Sequence, residues 1–393
     1  MSKEIVILSA VRTAFGSFQG ALSSIPAPKL GALAIEGALK RAGVQASEVS
    51  EVIMGNVLAA GEGQAPARQA ALYSGIPKSV PALTINKVCG SGMKAIMLGT
   101  QSILLGDSDI VVAGGMENMS QTPYLLTNGR QGFRMGHQSM LDSMIHDGLW
   151  DPYNNQHMGN CAELCAKERN FSRQEQDRYA TESFRRAQEA QKSGKFKDEI
   201  IPIEIPGKKG DVQKVDTDEG PAKVQFDKIA TLKPVFDKQG SVTAANASTI
   251  NDGAAVLVLA SAEKAKALGI KPIAKIMSYG THAQEPEWFT TAPAEAMRRA
   301  MKKVGWQAKD VDLFEVNEAF AVVALAAQKE FSIPSDRFNI WGGAISLGHP
   351  IGASGARIVV TLLSALKDRG MKRGVAGICI GGGEATALCV ERF

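Results

Sequence analysis

At 393 residues the chain is too long for a peptide-sized module and predicts about two to four domain-sized units around a sizeable core. Its 44 Lys and Arg against 40 Asp and Glu leave a net charge of +4 with no long basic run, which argues against nucleic acid as a partner. Five scattered cysteines, an odd number, do not make a disulfide framework and fit a reducing, cytoplasmic setting. In chain order, Lys3 and Glu4 precede a short apolar run soon broken by Arg12, so EIVILSA reads as a first strand and not as a signal peptide. An amphipathic helix follows in KLGALAIEGALKRAG, then a strand in EVIMGNVL, a helix in SGMKAIMLGTQSILLG and a strand in DIVVAGG. The longest uncharged apolar stretch, Ala95 to Gly106, has about 12 residues, short of the ~18–20 of a membrane span, so no membrane is expected.

From 121 to 247 the texture turns polar and rich in Gly and Asn around one clear helix. Ser172 and Glu175 form an S-x-x-E capping box at its start, and Gly194 follows as a stop signal. This reads as an inserted region. Strand and helix then resume in GAAVLVLASA, KPIAKIMSYG, a helix opened by Pro293 and closed near Gly305, DLFEV, and a helix near NEAFAVVALAAQKE. Alternation on both sides of the insertion predicts an α/β class with buried sheets. An internal echo suggests duplication: Ser91-Gly92 opens an apolar helix with a strand ending at Gly114-Gly115, and Ser354-Gly355 opens ARIVVTLLSAL with a strand ending at Gly381-Gly382-Gly383. Taken alone, the echo is equally compatible with chance.

Cys89, in INKVCGSGMKAI, lies where a strand meets a helix start. Free backbone N–H groups and the helix dipole there can depress a thiol pKa from about 8.5 to ~3.5–7.5 and make it a nucleophile; an inert core thiol fits the position as well. His349, fixed between Gly348 and Pro350, suits proton transfer or a purely structural place. Cys379 precedes a run of glycines whose N–H groups can hold an oxyanion, and is otherwise a buried strand cysteine. Asn317-Glu318 stands before an apolar helix as a reactive polar pair or an ordinary N-cap. His157, Cys161 and Cys165 recur every four residues, but on a straight helix the outer two are about 12 Å apart, too far for one metal ion. No G-x-G-x-x-G opens a helix after the first strand, so a dinucleotide site is not indicated.

Cys89-Gly90-Ser91, NEAF at 317–320, Gly348-His349-Pro350 and Cys379-Ile380-Gly381 stand in the order and spacing of the fingerprints of the thiolases. In these segments the sequence resembles that family along nearly its whole length, from VRTAFG at 11–16 to the last strand. The resemblance implies a thiolase fold: two similar α/β halves in a five-layered αβαβα core, with residues 1–120 plus 248–271 as the N-terminal half, 121–247 as an inserted loop domain for coenzyme A binding and oligomer contacts, and 272–393 as the C-terminal half. It implies reversible Claisen condensation of two acetyl-CoA to acetoacetyl-CoA plus CoA, and the reverse thiolysis, of the biosynthetic type. Cys89 would carry the acetyl group, His349 would activate it, and Cys379 would remove the α-proton of the second acetyl-CoA. Asn317 would hold a water beside His349 in one oxyanion site, and the N–H groups of Cys89 and Gly381 would form the other. Leu149, His157, Met158, Phe236, Ala244 and Ser248 would line the pantetheine tunnel, with Phe320 near the reacting end and Lys223 toward the nucleotide. The segment Gly220-Pro221-Ala222-Lys223 departs from the more basic stretch of some relatives. His157-Met158-Gly159 resembles short-chain members. No metal and no cofactor are implied, the CoA thioesters being substrates, and a homotetramer is expected. A ketoacyl synthase would carry a His–His or His–Asn pair where this chain has Cys379.

Overall fold

The protein is described by a computed structural model that covers residues 3–206 and 211–393. The first half runs β1 (Ile5–Thr13), α1 (Ala27–Ala42), β2 (Glu51–Gly55), α2 (Pro66–Tyr73), β3 (Ala82–Ile85), α3 (Ser91–Leu105) and β4 (Ile110–Asn118). The chain then departs through the region holding α4 (Met158–Glu168) and α5 (Arg173–Lys192), and returns as β5 (Asn251–Ser261). The second half runs β6 (Ala274–Ala283), α6 (Ala292–Lys303), β7 (Leu313–Val316), α7 (Ala321–Phe331), α8 (Ile351–Arg369), β8 (Arg373–Ile380) and β9 (Glu384–Arg392).

The strand order settles the echo seen in the sequence. On one side, β4 pairs parallel with β2 and antiparallel with β5, which pairs antiparallel with β1. On the other, β8 pairs parallel with β7 and antiparallel with β9, which pairs antiparallel with β6. Even the outermost strand has its counterpart: β3 lies parallel to β2, and a parallel bridge joins Phe314 of β7 to Phe338. The two sheets meet where Val6 and Ile7 pair with Lys275 and Ala274, so one hydrogen-bonded path crosses the whole molecule.

Buried Val, Ile and Leu on β1, β4, β5 and β8 give near-continuous apolar strands, as sheets covered on both faces require. Helices α1 and α2 cover the outer face of the first sheet, α6 with α7 beside it the outer face of the second, and α3 and α8 fill the layer between. The result is five layers, αβαβα. In the central layer the helices approach so closely that a Cβ at Gly92 would stand 2.8 Å from Ala356 N and one at Gly355 2.5 Å from Met93 N.

One apolar window is placed by the fold, and one sequence expectation needs correction. The window Val88–Leu105 is long and apolar enough by composition to pass for a membrane span, but 56% of it is buried inside this central layer. Helix α8 begins at Ile351, not at Ser354, with Pro350 in extended conformation at its N-cap. In the inserted region, α5 starts as read, with Ser172 and Glu175 bonded reciprocally. Arg12 of β1 is fully buried and reaches into this region, bonding Asp218 through Nη1 and Nη2 at 2.6 and 2.8 Å and Glu199 through Nε at 2.6 Å.

Candidate active site

Between β3 and α3 the chain makes a turn held by its own side chains. Ser91 Oγ accepts from Lys87 N at 2.8 Å and donates to Val88 O at 2.6 Å, while Asn86 Oδ1 accepts from Val88 N at 2.9 Å. Val88 thereby adopts φ +45°, a left-handed conformation unfavourable for a β-branched residue and a mark of strain at functional turns. The next residue, Cys89, is half-buried against Val57, Leu58, Met144, Leu149 and Ile351. The turn between β8 and β9, through Gly382 at φ +88° and Gly383 at φ +81°, brings the backbone N–H of Gly381 to the Cys89 sulfur. An ion pair between Lys87 and Glu384 ties the two turns together.

The thiol of Cys89 behaves opposite to expectation. Burial pushes it up to about 11, the N–H groups of Gly381 and Cys89 itself pull it down, and the charge of Glu117 pushes it further up. A helix start is thus not enough to ionise a desolvated thiol, and the sulfur needs a base. Cys379, fully buried at the end of β8, lies close enough to Cys89 that the charge of that sulfur, after burial, raises its thiol well above the usual range.

His349 is also buried, and burial, with the nearby charge of Arg357, lowers it to about 3. Its imidazole is therefore neutral at physiological pH and able to accept a proton. Its backbone is set by Asn251, whose Oδ1 accepts from His349 N at 3.1 Å and whose Nδ2 donates to Gly16 O at 2.9 Å. A side chain at Gly348, φ +115°, would overlap the Asn251 amide at 2.3–2.5 Å, so only glycine fits there. Its ring Nδ1 lies 2.6 Å from Ser354 Oγ.

Asn317 is not an N-cap, since Phe320 holds that place for α7. It is fully buried, and neither amide atom finds a partner among the described residues. A buried amide left so costs about 1–3 kcal/mol, which marks a position kept for an outside partner. Glu318 explains how it is held. One carboxylate oxygen accepts from Tyr179 at 2.8 Å and Asn339 Nδ2 at 3.0 Å, the other from Ser183 at 2.7 Å and Ile345 N at 3.1 Å. Helix α5, the NEAF turn and the loop before His349 are thus pinned to one carboxylate.

Among the expected tunnel residues, His157 stacks on Phe236 at 4.7 Å and Phe236 meets Phe320 edge-on at 6.2 Å. Met158 packs in the same cluster as Phe320 and Cys379, and Leu149 in that of Cys89. Ser248 N donates to Ala319 O at 2.9 Å, which lays its loop along NEAF. Ala244 is exposed, and Lys223 stands exposed on the short helix Pro221–Lys223; no packing cluster joins either to the rest. His157 caps α4, its Nδ1 accepting from Gly159 N at 3.0 Å, and Cys161 and Cys165 point into the second core. No group of three metal-ligating side chains occurs among the described residues.

Sequence reasoning missed Asn251, Glu117, Ser354 and Tyr179. Glu117 is fully buried and accepts from Val57 N, Leu58 N and Gly352 N at 3.1, 3.1 and 2.8 Å, which joins the wall behind Cys89 to the first turn of α8. The sequence signal for it was a carboxylate next to the end of the largely apolar strand β4.

Comparison with known proteins bears directly on this arrangement. The thiolase N-terminal domain matches residues 5–263 and the thiolase C-terminal domain residues 270–392. Acetyl-CoA acetyltransferase of Cupriavidus necator is 54% identical over 390 residues, covering 99% of each chain. Acetyl-CoA acetyltransferase 2 of Arabidopsis thaliana is 55% identical over 99% of this chain and 97% of its own. The crystal structure of the Bacillus anthracis acetyl-CoA acetyltransferase superposes with a TM-score of 0.97 at 42% identity, covering 100% of this chain and 99% of that one.

Proposed function

The chain belongs to the thiolase family, and from that premise we propose that it is an acetyl-CoA C-acetyltransferase, condensing two acetyl-CoA to acetoacetyl-CoA plus CoA and catalysing the reverse thiolysis. The observation that carries this reading is the meeting of two thiols, one from each half of the fold, with the Gly381 N–H directed at the Cys89 sulfur. A ketoacyl synthase lacks the second thiol.

In the first half-reaction neutral His349 takes the Cys89 proton and the thiolate attacks the acetyl carbonyl. The Cys379 thiol gives its proton to the departing CoA sulfur and is left as a thiolate. A thiolate so poorly stabilised by burial is a strong base, suited to the weakly acidic α-proton of the second acetyl-CoA. The resulting carbanion attacks acetyl-Cys89, and the released Cys89 sulfur recovers its proton from His349. The N–H groups of Cys89 and Gly381 hold the thioester oxygen, and His349 with a water on Asn317 holds the enolate oxygen. Each such donor is typically worth about 10²–10³ in rate. Covalent transfer divides one difficult step into two easier ones.

His157 stacked on Phe236 and Phe320 edge-on to it, with Leu149, Met158, Ala244 and Ser248, form the pantetheine tunnel, and Lys223 stands toward the nucleotide. Residues 121–247 act as the inserted loop domain between halves 1–120 plus 248–271 and 272–393. The triplet at 157–159 supports a short-chain substrate, and a cytoplasmic homotetramer in lipid metabolism, free of cofactors, completes the reading. Incubation with acetyl-CoA followed by acid quench and peptide mass spectrometry should leave one acetyl group on the peptide bearing Cys89. Label on another cysteine would overturn the assignment.

A further inference from the structure

We propose that Ser354 is a positioning residue that fixes the proton of His349 on Nδ1, so that Nε2 alone presents a lone pair to Cys89. The proposal rests on the reading of His349 as the base. It starts from one hydroxyl with two close neighbours: Ser354 Oγ lies 2.6 Å from His349 Nδ1 and 2.8 Å from Pro350 O, all three buried. A hydroxyl carries a single hydrogen, and a carbonyl oxygen only accepts. If that hydrogen went to Nδ1, the lone pairs of Oγ and Pro350 O would face each other at 2.8 Å. The hydrogen therefore goes to Pro350 O, Oγ accepts from Nδ1–H, and the ring is held with Nε2 unprotonated.

The fold makes this geometry unavoidable. Ser354 is the fourth residue of α8, and Pro350 is its N-cap four residues earlier, where a serine hydroxyl meets the i−4 carbonyl by helix geometry alone. His349 immediately precedes that cap, with its backbone held by Asn251. A helix that began at Ser354, as the sequence suggested, would carry the hydroxyl out of reach of the ring. Because the imidazole is neutral, the tautomer is the one remaining choice, and a base with its proton on the wrong nitrogen is inactive.

The test uses the full-length enzyme labelled with ¹⁵N-histidine; the chain has 5 histidines, and His349→Asn identifies the signal. The wild type should show the Nδ1–H tautomer at His349, and Ser354→Ala a mixture of tautomers. Acetylation of Cys89 by acetyl-CoA should fall roughly 10- to 100-fold in Ser354→Ala, the size of loss typical when a hydrogen bond that fixes a histidine's tautomer and ring orientation is removed, with KM little changed. Ser354→Thr and Ser354→Val differ only in the hydroxyl and control for packing: Thr should recover most of the rate and Val should not. Wild-type rate and tautomer in Ser354→Ala, or equal rates for Thr and Val, would overturn the proposal. If His349→Asn itself acetylates at the wild-type rate, the base assignment fails first, an outcome distinct from failure at Ser354 alone.

Discussion

The thiol of Cys89 is held above its ordinary value, and the imidazole of His349 below its own, chiefly by the same burial. The pair therefore rests as thiol and neutral base, and the proton moves only when acetyl-CoA is attacked. Two pH dependences follow. Protonation of His349 is favoured only below about 3, so acidification from about pH 7.5 to 5.5 leaves the base intact. Acetylation should show no inflection near the usual histidine pKa of about 6.5; one that disappears in His349→Asn would contradict the assignment. Glu117 supplies the second. Its own carboxyl is raised to about 8, chiefly by burial, so above that pH its charge opposes ionisation of Cys89. Glu117→Gln removes the charge and should lower the Cys89 pKa, moving its iodoacetamide alkylation profile to lower pH; an unmoved profile would separate the two groups. Cys89, His349, Cys379 and Asn317 were legible in the sequence because each stands in a short motif: Cys89 before Gly90, His349 between Gly348 and Pro350, Cys379 two residues before a run of glycines, and Asn317 in a polar pair ahead of an apolar helix. Glu117, Asn251 and Ser354 were not, since each acts through a bond whose partner is set by the fold, Asn251 reaching His349 from 98 residues away.

Elements carry the same lesson through the crossing of α3 and α8. Ser91-Gly92 and Ser354-Gly355, recognised as an echo in the sequence, are the places where the two central helices touch, each glycine admitting the backbone of the other helix. The apolar texture and the glycines were readable, but the helix boundary was not: three residues before Ser354 already belong to α8, because Pro350 sets the cap. A methyl group at Gly355 would stand 2.5 Å from Met93 N and 3.0 Å from Met93 Cβ, and backbone on that side leaves no flexible end to yield. Gly355→Ala should therefore destabilise by about 1–3 kcal/mol through overpacking, seen as a lower midpoint in denaturant with the slope unchanged. The shift should also reach the chemistry, since Ser354 and the first turn under His349 lie on the same helix. A wild-type midpoint would mean that the helices separate freely and that the close crossing does not hold the central layer.

For the molecule as a whole, the question is what binds the inserted region to the two-sheet core. The change of texture at 121–247 marked the insertion and the family resemblance implied two halves; neither held a sign that both sheets join at β1 and β6, nor that β1 reaches outward through Arg12. That guanidinium is fully buried, with Glu199 and Asp218 from the inserted region around it and the ring of Phe196 at 5.1 Å. Asp218 also accepts from Phe15 N at 2.8 Å, and its carbonyl accepts from Gln191 of α5 at 2.9 Å. One residue thus fastens the segment after β1 to the C-terminal end of the long helix that, nearer its middle, holds Glu318 under the NEAF turn. Asp218→Asn leaves Arg12 buried with one charged partner, and breaking such a pair typically costs about 3–5 kcal/mol. The expected result is a loss of stability of that size in denaturant unfolding. Because α5 carries Tyr179 and Ser183 to Glu318, and Glu318 pins both the NEAF turn and the loop before His349, folded Asp218→Asn enzyme should also acetylate Cys89 and condense acetyl-CoA more slowly. Wild-type rates of acetylation and condensation in a destabilised Asp218→Asn enzyme would show that Glu318 holds the NEAF turn and the loop before His349 without help from the Arg12 cluster.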